Sequence, residues 1–302
     1  MERDLSSRPV ARSSAAASRS GRALRLLFGL GGAAFLVIAF RETWDRTHES
    51  VLPEWPSLLT AFGLAVTGLI AADRGWRALL PGGESRALSR AFFAAQLGKY
   101  IPGGVWQAAG QIGMSVQAGI PAPQAGVALM VHALTQVAAG GALGAMVALT
   151  GTDLSGAARL ATAGALSTVA LLHKGWMVRL IRAVRPAAIT LVPPQRAILA
   201  SSAWSVATLV ASGGAFALLA RGTEASGPPA MLIAAYALAW VVGFLALPFP
   251  SGIGVREAVL IATIGPPAPV IAVSLIHRLI VMAAEAAMVM ASRVRATPRR
   301  TP

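Results

Sequence analysis

Apolar residues run through the chain in blocks of membrane length, separated by short polar loops. The unbroken blocks cover residues 23–40, 56–72, 124–150, 157–173, 197–220, 228–247 and 269–291. Each is read as a helix crossing a bilayer, because a hydrocarbon core of about 30 Å takes about 20 apolar residues. Two further blocks are interrupted. The first, about 91–113, contains QLGKYIPGGVWQAAGQ from Gln96 to Gln111, with a charge (Lys99), a proline (Pro102), a glycine pair (Gly103, Gly104) and two glutamines one turn apart (Gln107, Gln111). Pro102 cannot donate a backbone hydrogen bond and disfavours helix at Ile101. The second is LPFPSGIGVREAVL from Leu247 to Leu260, with Pro250, Gly252 and Gly254 before Arg256 and Glu257. Both share an order of apolar, Pro, small, Gly, apolar, as IPGGVW and FPSGIG. Broken helices at matching places in two repeats are a recurring way to build a midplane binding site.

Loop charges set the expected topology. Segment 41–55 sets Arg41 and Arg46 against Glu42, Asp45, Glu49 and Glu54, while 73–90 sets Arg74, Arg77, Arg86 and Arg90 against Asp73 and Glu84. Loop 173–196 carries Lys174, Arg179, Arg182, Arg185 and Arg196 with no acid. Basic loops stay cytoplasmic, so 73–90 and 173–196 belong inside, with both termini, and 41–55 outside. If 91–113 crossed once, loop 173–196 would be outside. The block is therefore expected to be a re-entrant hairpin from the cytoplasmic side. Residues 252–265 give about 21 Å of helix, and they are expected to cross with the help of extended backbone at Pro248–Ser251. The expected fold is all-α and polytopic, with about eight crossings, one re-entrant hairpin and a possible two-repeat architecture. Residues 1–22, rich in Ser, Ala and Arg, read as a disordered basic tail; 23–292 form the transmembrane domain and 293–302 a second basic tail.

Composition agrees and narrows the function. The chain is 55% hydrophobic and 13% charged, against about 25% charged in soluble domains. Its net charge of +14 sits in loops between spans, where it orients the protein and meets anionic headgroups, so no nucleic acid is implied. There is no cysteine, and the histidines His48, His132, His173 and His277 form no ligand motif, so neither metal nor cofactor is expected.

Ionisable residues inside the membrane are functional candidates. Lys99 either contacts a lipid phosphate or snorkels to the interface. Gln107 and Gln111 share a helix face, lining a groove or bonding a neighbouring helix. His132 and Gln136 share another, in a span whose Gly140-x-x-x-Gly144 is a packing signature. Arg256 can clamp a phosphate with two hydrogen bonds, with Glu257 orienting it, or the two serve as buried ions holding the break. In the last span Arg278 and Glu285 are too far apart to bond each other, and Glu257 is the expected partner of Arg278. His132, Gln136, His277 and Glu285 are candidates for a proton or polar relay. Lys99, Arg256 and Arg278 outnumber Glu257 and Glu285, and a cationic cavity suits an anionic headgroup.

LGKYIPGGVWQ followed about 140 residues later by PFPSGIGVREA resembles the lysylphosphatidylglycerol synthase transmembrane-region family, over about residues 20 to 292. The resemblance implies an all-helical inner-membrane protein. In the fused members this region moves an aminoacylated phospholipid between leaflets, while stand-alone members are associated with glycosyltransferases or envelope polymers. The fused members' aminoacyl-tRNA-dependent transferase is expected to be missing here. Family members often place an acid in the span after the first motif, where this chain has His132 and Gln136.

The expected function is translocation of an anionic phospholipid or a polyprenyl-phosphate-linked envelope precursor. The alternative is a non-transporting scaffold or regulator of an envelope glycosyltransferase partner. An enzyme is not expected: there are no paired carboxylates at usable spacing and no GK[ST] phosphate loop.

Overall fold

The computed structural model describes residues 53–100, 105–150, 173–184, 186–246, 252, 254–265 and 267–294. The expected tail 1–22, the span at 23–40, residues 157–172 and 295–302, and Pro102, Gly103, Gly104 and Pro250 lie outside these residues, while Arg293 and Val294 of the expected second tail end the last helix. All regular structure among the described residues is helical. The helices are α1 Trp55–Arg77, α2 Arg86–Gln96, α3 Trp106–Gln117, α4 Ala122–Thr150, α5 Lys174–Val184, α6 Gln195–Leu219, α7 Pro229–Leu245, α8 Val255–Ile264 and α9 Pro267–Val294, with 3-10 turns at Leu97–Tyr100 and Pro186–Leu191. Four of them, α1, α4, α6 and α9, are long and apolar enough to cross a bilayer.

Two apolar clusters mark the two ends of the bundle. The first joins Trp76, Leu88, Phe92, Phe93, Val131, Met177, Ile181, Ile198 and Val289. The second joins Ala61, Phe216, Leu219, Leu232, Tyr236, Leu260, Val270 and Val273. Helices α1 and α9 therefore run from the second cluster to the first, and α4 and α6 run the other way. Small residues let these helices approach closely. A Cβ at Gly75 of α1 would lie 3.1 Å from the His132 ring of α4 and from Trp204 of α6. Gly140 and Gly144 press on Val241 and Leu238 of α7, so the GxxxG of α4 is a packing surface.

The first interrupted block is a helical hairpin. Ala95 opposes Gly110, and Gly98 opposes Gln107, so α2 and α3 are antiparallel. Both outer ends return to the first cluster, through Leu88, Phe92 and Phe93 on one arm and Ile112, Ala118 and Ile120 on the other. Helix α2 starts at Arg86, earlier than the apolar block, because the Ser85 hydroxyl caps it by accepting from Ala87 N at 3.2 Å.

The second interrupted block holds a short helix after its glycines. Helix α8 has 10 residues, about 15 Å, which is half a hydrocarbon core. Its later residues Leu260, Ile261 and Ile264 pack into the second cluster, where α7 also begins at Leu232. The pair is thus a second antiparallel hairpin, with the start of α7 and the end of α8 both at the second cluster. The helix is shorter than the expected 14 residues because Gly252 and Gly254 take φ of 67° and 82°, left-handed values that a right-handed helix cannot contain. At Gly252 any Cβ would also lie 2.8 Å from the Gly243 backbone.

Loop 173–196 also contains more order than its charges suggested. In α5, Met177 and Ile181 are buried one turn apart, while Lys174, Trp176, Arg179 and Arg182 are exposed. The helix lies at the end of the bundle that also carries Arg74, Arg77, Arg86 and Arg90.

Candidate functional site

Residues beside the turns of the two hairpins meet the same helix. On α9, Ser274, Arg278 and Glu285 fall within about 40° of one another around the axis. From the first hairpin, Lys99 forms an ion pair with Glu285, and the Tyr100 hydroxyl donates to Glu285 Oε2 at 2.8 Å. From the second, Glu257 Oε1 accepts from Arg278 Nε at 3.1 Å and Nη2 at 2.9 Å, and from the Ser274 hydroxyl at 2.9 Å. The expected Glu257–Arg278 pair is therefore present. Lys99 has a partner that neither sequence reading supplied, a carboxylate 186 residues away. Both carboxylates are buried, Glu257 at 0% and Glu285 at 1% exposure. Buried carboxylates require such compensation, since an unpaired one would cost several kcal/mol in solvation.

Glu257 has a second task. Its Oε2 accepts from Gly254 N at 2.8 Å, capping the first turn of α8 with a negative charge at the positive end of the helix. The backbone N–H at Gly254 is thus taken by the protein's own carboxylate. One buried residue ties the glycine break, the start of α8 and the face of α9 together.

Arg256, its neighbour in sequence, points elsewhere. Adjacent helical residues diverge by about 100°, and the Arg256 side chain runs across α7 instead of toward α9. Gly243 leaves the room, since a Cβ there would lie 2.5 Å from Arg256 Cγ. The guanidinium carbon sits 5.9 Å from the centre of the Trp240 ring, and Trp240 stacks on Phe244 at 5.2 Å with an interplanar angle of 6°. The Nε of Arg256 is buried with no hydrogen-bond partner, and among the described residues no carboxylate forms a salt bridge with it. Lys99, Arg256, Arg278, Glu257 and Glu285 lie close enough for their charges to act on one another. Two of the three cations are matched to a carboxylate, and Arg256 is the surplus.

The remaining candidates separate into three places. His277 sits beside the charged cluster, with Nε2 3.0 Å from the Ser212 carbonyl oxygen and its ring edge-to-face with Tyr236 at 5.0 Å. The carbonyl can only accept, so Nε2 carries the proton and a neutral ring suffices. Gln107 donates to Gln96 Oε1 at 3.0 Å, bracing the two arms of the first hairpin. Gln111 is buried, with its Nε2 unpartnered. His132 belongs to a different seam. Its Nδ1 lies 3.3 Å from the Ser201 hydroxyl, and Thr135 reaches Ser201 and Ser205 at 3.1 Å each. Gln136 lies one turn further on α4, with its Oε1 buried and unpartnered. No hydrogen bond or salt bridge joins this seam to Glu285 or Glu257 among the described residues, and no group of three metal-ligating side chains is found among them.

Sequence reasoning missed Tyr100, Ser274, Trp240 and Gly243. Ser274 carried a signal, standing one turn before Arg278 on the face that needed a partner. Tyr100 adjoins Lys99, but nothing in the sequence linked either to Glu285. Gly243 looks like any glycine in an apolar helix until Arg256 is laid across it.

No protein-family model, curated protein or solved structure matches the chain, so the family resemblance stands on its two motifs, whose residues from Val255 to Glu257 and from Leu97 to Tyr100 build this cluster.

Proposed function

We propose that this chain is a multi-pass protein of a bacterial-type inner membrane that moves an anionic lipid between leaflets. The cargo is a phospholipid or a polyprenyl-phosphate-linked envelope precursor. The observation that carries the reading is Arg256, a guanidinium with a buried, unpartnered Nε, held at a helix break inside a cluster with one cation to spare. A buried donor without an acceptor costs about 1–3 kcal/mol. A phosphate oxygen supplies that acceptor, and Arg matches phosphate with two parallel hydrogen bonds.

In this reading the basic end of the bundle, with Arg74, Arg77, Arg86, Arg90 and α5, faces the cytoplasm, and both termini do too. The first hairpin is re-entrant from the cytoplasmic side, and the second from the outside. Irregular backbone at membrane depth survives where it is buried in protein or lines a cavity, and Lys99 and Glu257, beside the two breaks, both bond to α9. The headgroup reaches the cluster while the tails stay in lipid. Rocking of the hairpins against α9 opens the cluster to one leaflet and then the other. The motifs that resemble the lysylphosphatidylglycerol synthase membrane region support the same assignment.

The test is transport by purified protein in liposomes. Labelled phosphatidylglycerol should change leaflet faster than in empty liposomes, and Arg256→Gln should remove the acceleration. Equal rates with and without protein, beside a working control flippase, would sink the proposal.

A second reading has its own support. Lys99 and Arg278 are already neutralised by Glu285 and Glu257, ties that also suit a static scaffold for an envelope glycosyltransferase. That reading expects Arg256→Gln to be silent in cells, and charge removal from α5, the exposed basic surface, to abolish function.

A further inference from the structure

We infer that the group bound beside Arg256 carries a single negative charge, as a phosphodiester does, and that phosphomonoesters and diphosphates are disfavoured there. The inference rests on the lipid-translocating reading and narrows its cargo.

The charges of a buried site must balance. Lys99, Arg256 and Arg278 face Glu257 and Glu285, and their charges act on one another. The cluster therefore holds one net positive charge. The uncharged groups around it do not alter that count. His277 needs no second proton for its bond to Ser212, and Tyr100 donates a hydrogen bond to Glu285 as a neutral hydroxyl. The sequence stretches 101–104 and 247–253 carry no charged side chain. A singly charged anion brings the assembly to neutrality. A second negative charge would be left uncompensated next to Glu257 and Glu285, which are 0% and 1% exposed. Uncompensated charge in such surroundings is costly. A phosphodiester carries one negative charge, whereas a phosphomonoester carries about −1.5 to −2 at pH 7. The neutral alternative, a headgroup without charge, leaves the surplus on Arg256 unanswered.

Two lipid sources share the chemistry. A phosphatidyl headgroup is a phosphodiester, and so is a sugar joined to a polyprenyl chain through one phosphate. The polyprenyl diphosphates are disfavoured by the same balance.

The experiment is competition on the full-length protein in detergent micelles. The protein is equilibrated with an equimolar mixture of phosphatidylglycerol, a glycosyl polyprenyl monophosphate, phosphatidic acid and a polyprenyl diphosphate. It is then repurified, and the retained lipids are counted by mass spectrometry. The expected result is retention of one or both phosphodiesters, at least about tenfold over the doubly charged lipids, and whichever diester dominates names the source. Glu285→Gln raises the cluster by one positive charge, so the order should turn toward phosphatidic acid and the diphosphate. The double variant Lys99→Met with Glu285→Gln restores the original charge without the ion pair, and should restore the original order. That separates charge from any structural effect of losing the pair. Equal retention of singly and doubly charged lipids, or an order unmoved by Glu285→Gln, overturns the inference while leaving lipid binding intact. Retention of none of the four overturns the translocation reading as well.

Discussion

The bond between Glu257 and Arg278 is the best place to test whether the cluster is held by electrostatics or by surrounding packing. Glu257 Oε1 accepts from Nε and Nη2 of Arg278 and from the Ser274 hydroxyl, all within 3.1 Å. The carboxylate is buried, and the Arg278 side chain is 20% exposed. Substituting Arg278→Met leaves a buried carboxylate with only Ser274 and the Gly254 N–H. Breaking a buried pair by removing one partner costs about 3–5 kcal/mol. Glu257→Gln strands a partly wetted guanidinium and weakens the cap on α8, a loss of about 2–4 kcal/mol from the two terms together. In the double variant neither ion is left alone, so the losses should fall short of their sum by about 2–3 kcal/mol, the upper range for residues in one network. Reversible unfolding in mixed detergent micelles, monitored by far-UV circular dichroism, gives all three values in one cycle. If the two losses added to within about 0.5 kcal/mol, the pair would not be coupled and its assignment as the tie between α8 and α9 would fail.

Three further outcomes follow from the packing and topology. Gly243→Ala places a methyl 2.5 Å from Arg256 Cγ, so it should cost about 1–3 kcal/mol by overpacking and also lower lipid retention, which the unfolding and repurification assays read separately. Gly140→Ala sets a methyl 2.4 Å from Val241, far from Arg256 in sequence, and should lose similar stability in the same unfolding assay with less effect on the lipid preference order. Because the chain has no cysteine, Arg179→Cys and Glu224→Cys can be labelled singly with a membrane-impermeant maleimide. Arg179→Cys should label only from the cytoplasmic side and Glu224→Cys only from outside, and labelling from one common side would break the topology.

Hydropathy alone determined that the chain is helical and apolar, and it located α4 and α6 to within two residues at each end. Such runs are legible because one helix length matches one bilayer thickness. The breaks were legible for a related reason: proline and paired glycines in an apolar run have few structural uses. The excess of cations over acids was also readable, since it is a count. The Glu257–Arg278 pair could be anticipated because each residue needed an opposite charge and few were available.

What the sequence could not settle was which cation takes which carboxylate, and therefore which cation is left over. Lys99 and Glu285 are 186 residues apart, and only the return of the first hairpin to α9 brings them together. The second interrupted block looked like a crossing by its charge parity, because a hairpin and a pair of crossings leave every later loop on the same side. Tertiary structure adds a length: α8 begins only after Gly254 and spans about 15 Å. Gly243 is the clearest case. Its missing side chain matters only because Arg256, from a different helix, lies across it, and a relation between two helices is not written in either one.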